Sequence, residues 1–167
     1  MIGYNYSSTV SGCYNIGMPE GSNSVGGVCG LSTASTVTKC YNTDRVCGTE
    51  QIGGVVGRNS ALTYSSDNTA FAAVKDCYNT GSVSCTITDV GGVVGSNYAY
   101  PQLGTCTVTI ENCYSIGTLA GAGHNVCGVV GINYAAASGT ATATVENCYY
   151  LESRAAVGTA NEGAGGT

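Results

Sequence analysis

Five short stretches of this chain open with a thiol and a phenol, and three of them add a carboxamide: Cys13-Tyr14-Asn15, Cys40-Tyr41-Asn42, Cys77-Tyr78-Asn79, Cys113-Tyr114-Ser115 and Cys148-Tyr149-Tyr150. A thiolate is a nucleophile and a soft-metal ligand, so the motif is first a candidate for reactive or metal chemistry. Its surroundings argue otherwise. No Cys-x-x-Cys occurs among the ten cysteines, and His124 is the only histidine. His124 sits in Gly-Ala-Gly-His-Asn, which reads as a corner insertion, and no Gly-x-Ser-x-Gly elbow exists to give it a nucleophile. Gly91-Gly92-Val93-Val94-Gly95 looks superficially like a phosphate loop, but no Lys-Ser/Thr follows.

Carboxylates are the remaining chemistry. Glu111-Asn112 and Glu146-Asn147 precede successive repeat cysteines and could hold a calcium ion between coils, although a solvated edge is the favoured reading. Lys75 precedes an earlier one and should pair with Glu111. A carbohydrate-active enzyme would need Asp76, Asp89, Glu111 and Glu146 to converge on one groove. No residue earns a catalytic, cofactor or metal role on these grounds, and the chain reads as a non-enzyme.

The motif makes sense as architecture. The leading Cys recurs at 13, 40, 77, 113 and 148. A second half recurs with it: Val25-Gly26-Gly27-Val28-Cys29-Gly30, Ile52-Gly53-Gly54-Val55-Val56-Gly57, Val90-Gly91-Gly92-Val93-Val94-Gly95 and Val126-Cys127-Gly128-Val129-Val130-Gly131. From Cys to the first place of the Gly pair the distance is 13, 13, 14 and 14 residues, whereas from closing Gly to the next Cys it is 10, 10, 20, 18 and 17. One half is fixed; the other takes insertions. Residues 61–75, 98–104 and 134–139 should therefore bulge from one side of the molecule.

Composition points to strands. Gly numbers 26 and Tyr 12, charged residues make up 9%, and no Leu, Lys or Glu runs appear. Regular Val, Ile, Cys and Tyr supply apolar surface, which argues against disorder. Ankyrin, tetratricopeptide and leucine-rich repeats need helices or a Leu framework that is missing. The expected fold is all-β, a parallel β-solenoid (right-handed β-helix) of about five coils, on the order of 25 Å long at about 4.8 Å per coil. A β-sandwich explains alternation and turns but gives no reason for a fivefold motif. The solenoid spans residues 1–152, and 153–167 form a Gly/Ala-rich tail; the whole reads as a segment of a larger protein.

Stacking predicts ladders. Cys13, Cys40, Cys77, Cys113 and Cys148 form an internal column of free, buried thiols, with one or two disulfides among the scattered Cys29, Cys47, Cys85, Cys106 and Cys127 as the exception. Asn15, Asn42 and Asn79 form an amide ladder, and Asn59, Asn97 and Asn133 another, both at corners that tolerate positive φ. Tyr14, Tyr41, Tyr78, Tyr114 and Tyr149 stack likewise; core or corner packing is favoured over an outward aromatic strip. Thr105, Thr107 and Thr109 lie beside Thr140, Thr142 and Thr144 as a small array of the kind ice-binding solenoids use, interrupted lower down by Ala34 and Phe71.

The paired signature resembles the GLUG-motif repeat of bacterial surface and secreted proteins. Glu111-Asn112-Cys113-Tyr114-Ser115-Ile116-Gly117 and Val90-Gly91-Gly92-Val93-Val94-Gly95-Ser96-Asn97 carry the likeness, with weaker copies over about residues 1 to 152 and Val in place of the family's usual Leu. The resemblance implies an exported, extracellular or cell-surface scaffold, stalk or adhesive face, and supplies no catalytic residues. The implied partner is a host or neighbouring-cell surface protein or glycan. The alternative is self-association end to end into an extracellular filament. A net charge of −5 and scattered basic residues argue against nucleic acid as a partner. No apolar run is long enough to span a membrane.

Overall fold

The structure is a computed structural model that describes residues 1–122, 124–136 and 138–151. The expected tail at 153–167 lies outside the described residues. Every regular element described is a strand, and the chain runs as a helix of coils.

The first coil contains β1 (Ile2–Tyr6), β2 (Thr9–Ser11), β3 (Tyr14–Asn15) and β4 (Glu20–Gly26). The second has β5 (Cys29–Thr33), β6 (Thr36–Thr38), β7 (Tyr41–Asn42) and β8 (Val46–Gly53). The third has β9 (Val56–Thr63), β10 (Thr69–Lys75), β11 (Tyr78–Asn79) and β12 (Val83–Gly91). The fourth has β13 (Val94–Pro101), β14 (Thr105–Glu111), β15 (Tyr114–Ser115), β16 (Leu119–Gly121) and β17 (Val126–Cys127). The fifth has β18 (Val130–Ala135), β19 (Thr140–Glu146) and β20 (Tyr149–Tyr150).

Each strand pairs in parallel with its counterpart one coil away, giving four faces. Face A is β1-β5-β9-β13-β18, face B is β2-β6-β10-β14-β19, face C is β3-β7-β11-β15-β20, and face D is β4-β8-β12-β16, with β17 also on β12. Over the described residues the molecule is thus a parallel β-solenoid of four complete coils and three faces of a fifth, a count slightly different from the five expected.

The interior is divided into three apolar clusters. The main core lies between faces A, B and C and joins Val10, Val37, Val74 and Ile110 of face B to Cys40, Cys77 and Cys113 and to Val55 and Val93. A second cluster, including Val46, Ile52, Val83 and Val90, sits where the long face D bends on itself. The register of β12 on β8 shifts between Cys85 and Thr88, which lets both halves of the strand turn apolar residues inward. A third cluster consists of Ala61, Ala70, Ala72, Ala99, Cys106, Val108 and Ala143.

That third cluster corrects the reading of the insertions. Residues 61–75, 98–104 and 134–139 do project from one side, but not as loose bulges. They lengthen β9, β10, β13, β14, β18 and β19 into a two-layered wing. Its small Ala side chains allow faces A and B to approach closely.

The corners also differ. Positive φ falls not at the repeat asparagines but at the residue before each repeat Cys: Gly12 (65°), Lys39 (54°), Asp76 (53°), Asn112 (53°) and Asn147 (50°). A second column holds Ser24, Gln51, Asp89 and Asn125. Asp and Asn tolerate this conformation because their side chains bond locally. Here they also bond along the axis, Asn112 to Asp76 at 3.1 Å and Asn125 to Asp89 at 2.8 Å.

The glycine pair has a specific purpose. A Cβ on Gly54 would lie 2.3 Å from Asn79 Cγ and 2.3 Å from Gly92 O. Gly54→Ala should cost about 1–3 kcal/mol in denaturant unfolding. Gly3→Ala, where a Cβ meets nothing within 4 Å, should be close to neutral.

Candidate functional site

The Cys-Tyr-Asn motif builds its site by strand alternation. Successive residues point to opposite sides of a strand, so Cys77 and Asn79 point inward while Tyr78 points out. The other coils repeat this.

Cys40, Cys77 and Cys113 are buried at 0%, 1% and 0% exposure, as a ladder requires, whereas Cys13 is exposed and Cys148 half-buried at the ends. The sulfurs bond along the column: Cys13 N–H donates to Cys40 Sγ and Cys40 N–H to Cys77 Sγ, both at 3.4 Å. All ten cysteines are free thiols. Hydrogen bonding to Cys113, followed by burial, pushes the Cys77 and Cys148 thiols far up. Burial pushes Cys29 up to about 11. Hydrogen bonding to Cys77 lowers Cys40 to about 6, and hydrogen bonding to Cys148 lowers Cys113 to about 4, so burial is what shields these two thiols from reagents.

The amide ladder forms as expected. Asn15 Nδ2 donates to Asn42 Oδ1 at 2.7 Å, and Asn42 Nδ2 to Asn79 Oδ1 at 2.8 Å. Each amide also ties its own corner, Asn42 Nδ2 to Asp44 O at 2.6 Å and Asn79 Nδ2 to Gly81 O at 2.8 Å. Ser115 then breaks the column, and its hydroxyl is buried with no partner. The second ladder runs Asn59 to Asn97 to Asn133, at 2.9 and 2.8 Å. It lies within β9, β13 and β18 on face A rather than at a corner.

The tyrosines overturn the favoured reading. Tyr14, Tyr114 and Tyr149 are 59%, 41% and 69% exposed, and Tyr41 and Tyr78 are half-buried, so the column is an outward strip. The inward places on either side of each Tyr are already taken by Cys and Asn. The rings of Tyr14, Tyr41, Tyr78 and Tyr114 stack with centroids 5.4, 4.8 and 5.0 Å apart and planes within 11°. Their faces are turned to one another, so a partner meets ring edges and a row of hydroxyls.

A second aromatic group went unread in the sequence. Tyr98 stacks on Tyr134 at 4.6 Å, and the Arg58 guanidinium lies 4.9 Å over the Tyr98 ring. The signal was present in Gly-x-Asn-Tyr, which recurs at Gly95 and Gly131.

The outer surface of face B carries the threonine array. Thr105, Thr107 and Thr109 pair with Thr140, Thr142 and Thr144. On the preceding coil Thr69, Phe71 and Ala73 take those places, so Phe71, as expected, and also Ala73 interrupt it; Ala34 lies just before the paired strand β6.

The acidic groups divide. Lys75 Nζ lies 2.8 Å from Glu111 Oε2, the expected surface pair, and Glu111 is in register with Glu146. Hydrogen bonding to Glu111 raises the Lys75 pKa. Asp76 shares that corner between faces B and C, but Asp89 is at the far end of face D, bonded to Thr88 and Asn125. Among the described residues no three His, Cys, Asp or Glu side chains gather as a metal site.

No family model matches the chain, and neither the curated proteins nor the solved structures contain a match.

Removing the Asn79 amide strands a buried acceptor and a donor, so Asn79→Ala should cost on the order of 3 kcal/mol in denaturant unfolding. Ser115→Asn should do the reverse, accepting from Asn79 and gaining about 1 kcal/mol. In thiol titration with an aromatic disulfide reagent, Cys13 should react first in the native protein. All ten should react in guanidinium; fewer would show a disulfide.

Proposed function

We propose that this chain is a non-catalytic structural and adhesive segment of an exported bacterial surface protein. The observation that carries the reading is the outward column of stacked tyrosines on a rod whose interior ladders fix its pitch. Rings locked by their neighbours have little rotamer freedom left to lose on binding. Their hydroxyls recur at roughly the spacing between coils, about 4.8 Å, which suits a repetitive partner bound at several points at once. The neighbouring face B adds a second regular surface of hydroxyls and methyls. The likeness to GLUG-motif repeats supports an extracellular or cell-surface setting, with a host or neighbouring-cell surface protein or a glycan as the partner.

The test is retention of the bead-coupled chain on heparan sulfate, hyaluronan, mucin glycans, peptidoglycan and extracellular-matrix glycoproteins. At least one probe should bind. The double substitution Tyr41→Ser and Tyr78→Ser should weaken that binding tenfold or more while circular dichroism still reports a folded β-protein. Binding that is unchanged in the double variant, or a panel without any binder, would sink the adhesive reading.

A further inference from the structure

The two ends of the solenoid match each other. Among the described residues, β1, β2 and β3 form one end of faces A, B and C, and β18, β19 and β20 the other. These six strands contain a single charged residue, Glu146. Folded proteins ordinarily blunt exposed sheet edges with Lys, Pro or charged residues, because an unblunted edge is a template for another strand. On these three faces neither end has that protection in its strands; on face D the first-coil edge strand β4 opens with the exposed Glu20.

The hydrogen-bond pattern defines what each end offers. On face C, Tyr41, Tyr78, Tyr114 and Tyr149 donate their N–H to Cys13, Cys40, Cys77 and Cys113 O at 3.0–3.1 Å. One residue pair further, Thr43, Thr80, Ile116 and Leu151 donate to Asn15, Asn42, Asn79 and Ser115 O. Continuing both series by one coil leaves the N–H groups of Tyr14 and Ile16 as donors at the first coil, and Cys148 O and Tyr150 O as acceptors at the fifth. At the adjoining corner Gly12, Lys39, Asp76 and Asn112 donate to Thr38, Lys75, Glu111 and Glu146 O. There the next members are Asn147 N–H at the fifth coil and Ser11 O at the first. Donors and acceptors at the two ends are complementary.

The side-chain columns continue as well. Register places Val10 and Val145 in one column, Thr9 and Thr144 in another, and Tyr14 and Tyr149 in a third. Asn5 and Asn133 likewise share the column of the face A amide ladder. Glu146 would meet Ser11, so no like charges face each other. Large exposed apolar side chains lie at these ends, with Ile16 and Met18 each 70% exposed, Tyr149 69% and Leu151 46%, although others such as Tyr64 and Leu103 lie on the middle coils.

We propose that the fifth coil of one copy receives the first coil of a second copy, head to tail, with all three faces in register. The contact is heterologous, and translation along one axis does not close it, so the product is a filament and not a dimer. The inference stands apart from the adhesive reading, since it concerns the 167-residue chain by itself and needs no glycan or foreign protein.

The test is sedimentation and negative-stain microscopy of the purified chain at rising concentration, together with oxidative trapping. In the stacked form Cys148 of one copy lies beside Cys13 of the next, at the spacing of adjacent strands, which a disulfide spans. Diamide removes two electrons and two protons from that thiol pair and is itself reduced to the hydrazine. The expected result is fibres with an axial repeat of about 24 Å and a series of covalent oligomers beyond the dimer. Cys13→Ser and Cys148→Ser should each abolish that series while leaving the fold intact. Ile16→Pro, which deletes one donor, should abolish the fibres. A monomer at all concentrations would overturn the proposal. So would a trapped species that stops at the dimer, or a series that survives both serine variants.

Discussion

The inward side chain that ends each Cys-Tyr motif from the second coil on fills the space that a glycine of the Gly-Gly half leaves open. It is an amide in two coils, and a hydroxyl and a phenol ring in the next two. Asn42 lies over Gly27, Asn79 over Gly54, and in later coils Ser115 lies over Gly92 and Tyr150 over Gly128. A Cβ at any of these glycines would come within 2.0–2.7 Å of the side chain above it. This contact explains why the two halves of the repeat travel together. The Cys-Tyr half supplies the inward side chain, and the Gly-Gly half supplies the room. Loosening either would let the coils separate, and the buried thiol and valine columns would lose the spacing on which their packing rests.

The repeat made the solenoid legible, because a fixed distance from Cys to Gly pair admits one coil and one register. The columns of Cys, Asn and Tyr followed from that register alone. Orientation was harder. Cys77-Tyr78-Asn79 alternates in a strand of two residues, too short for periodicity to say which side faces inward; the buried amide ladder decides it. Corner positions were misread for a related reason. Asn79 tolerates positive φ, but its amide is worth more inside the ladder, and the sharp turn falls instead on Asp76. The wing was missed because its core is built from alanines, which carry no strong apolar signal in sequence.

The same columns that organise the interior set the character of the surface. With 9% charged residues, the protein has few long-range fields, and its one salt bridge among the described residues is only half-buried on both partners. What it presents to solvent is regular polarity without charge: phenols on face C, threonines on face B, and backbone donors and acceptors at the ends. Contacts with such surfaces depend on shape and hydrogen bonding, and would therefore change little with salt.

The hydrogen bonds between coils run parallel to the long axis, and this governs how the molecule bears load. Tension applied along that axis opens one row at a time instead of shearing all rows together. Each opening would free one coil of chain, 27 residues in the first part of the molecule and 35 to 37 beyond it. At about 3.4 Å per residue these correspond to slack of about 9 nm and about 12 nm. The winged coils therefore store a longer reserve of extension than the plain one, while sharing the same ladders. A tether built this way would lengthen in steps, and the size of each step is written in the insertion that its coil carries.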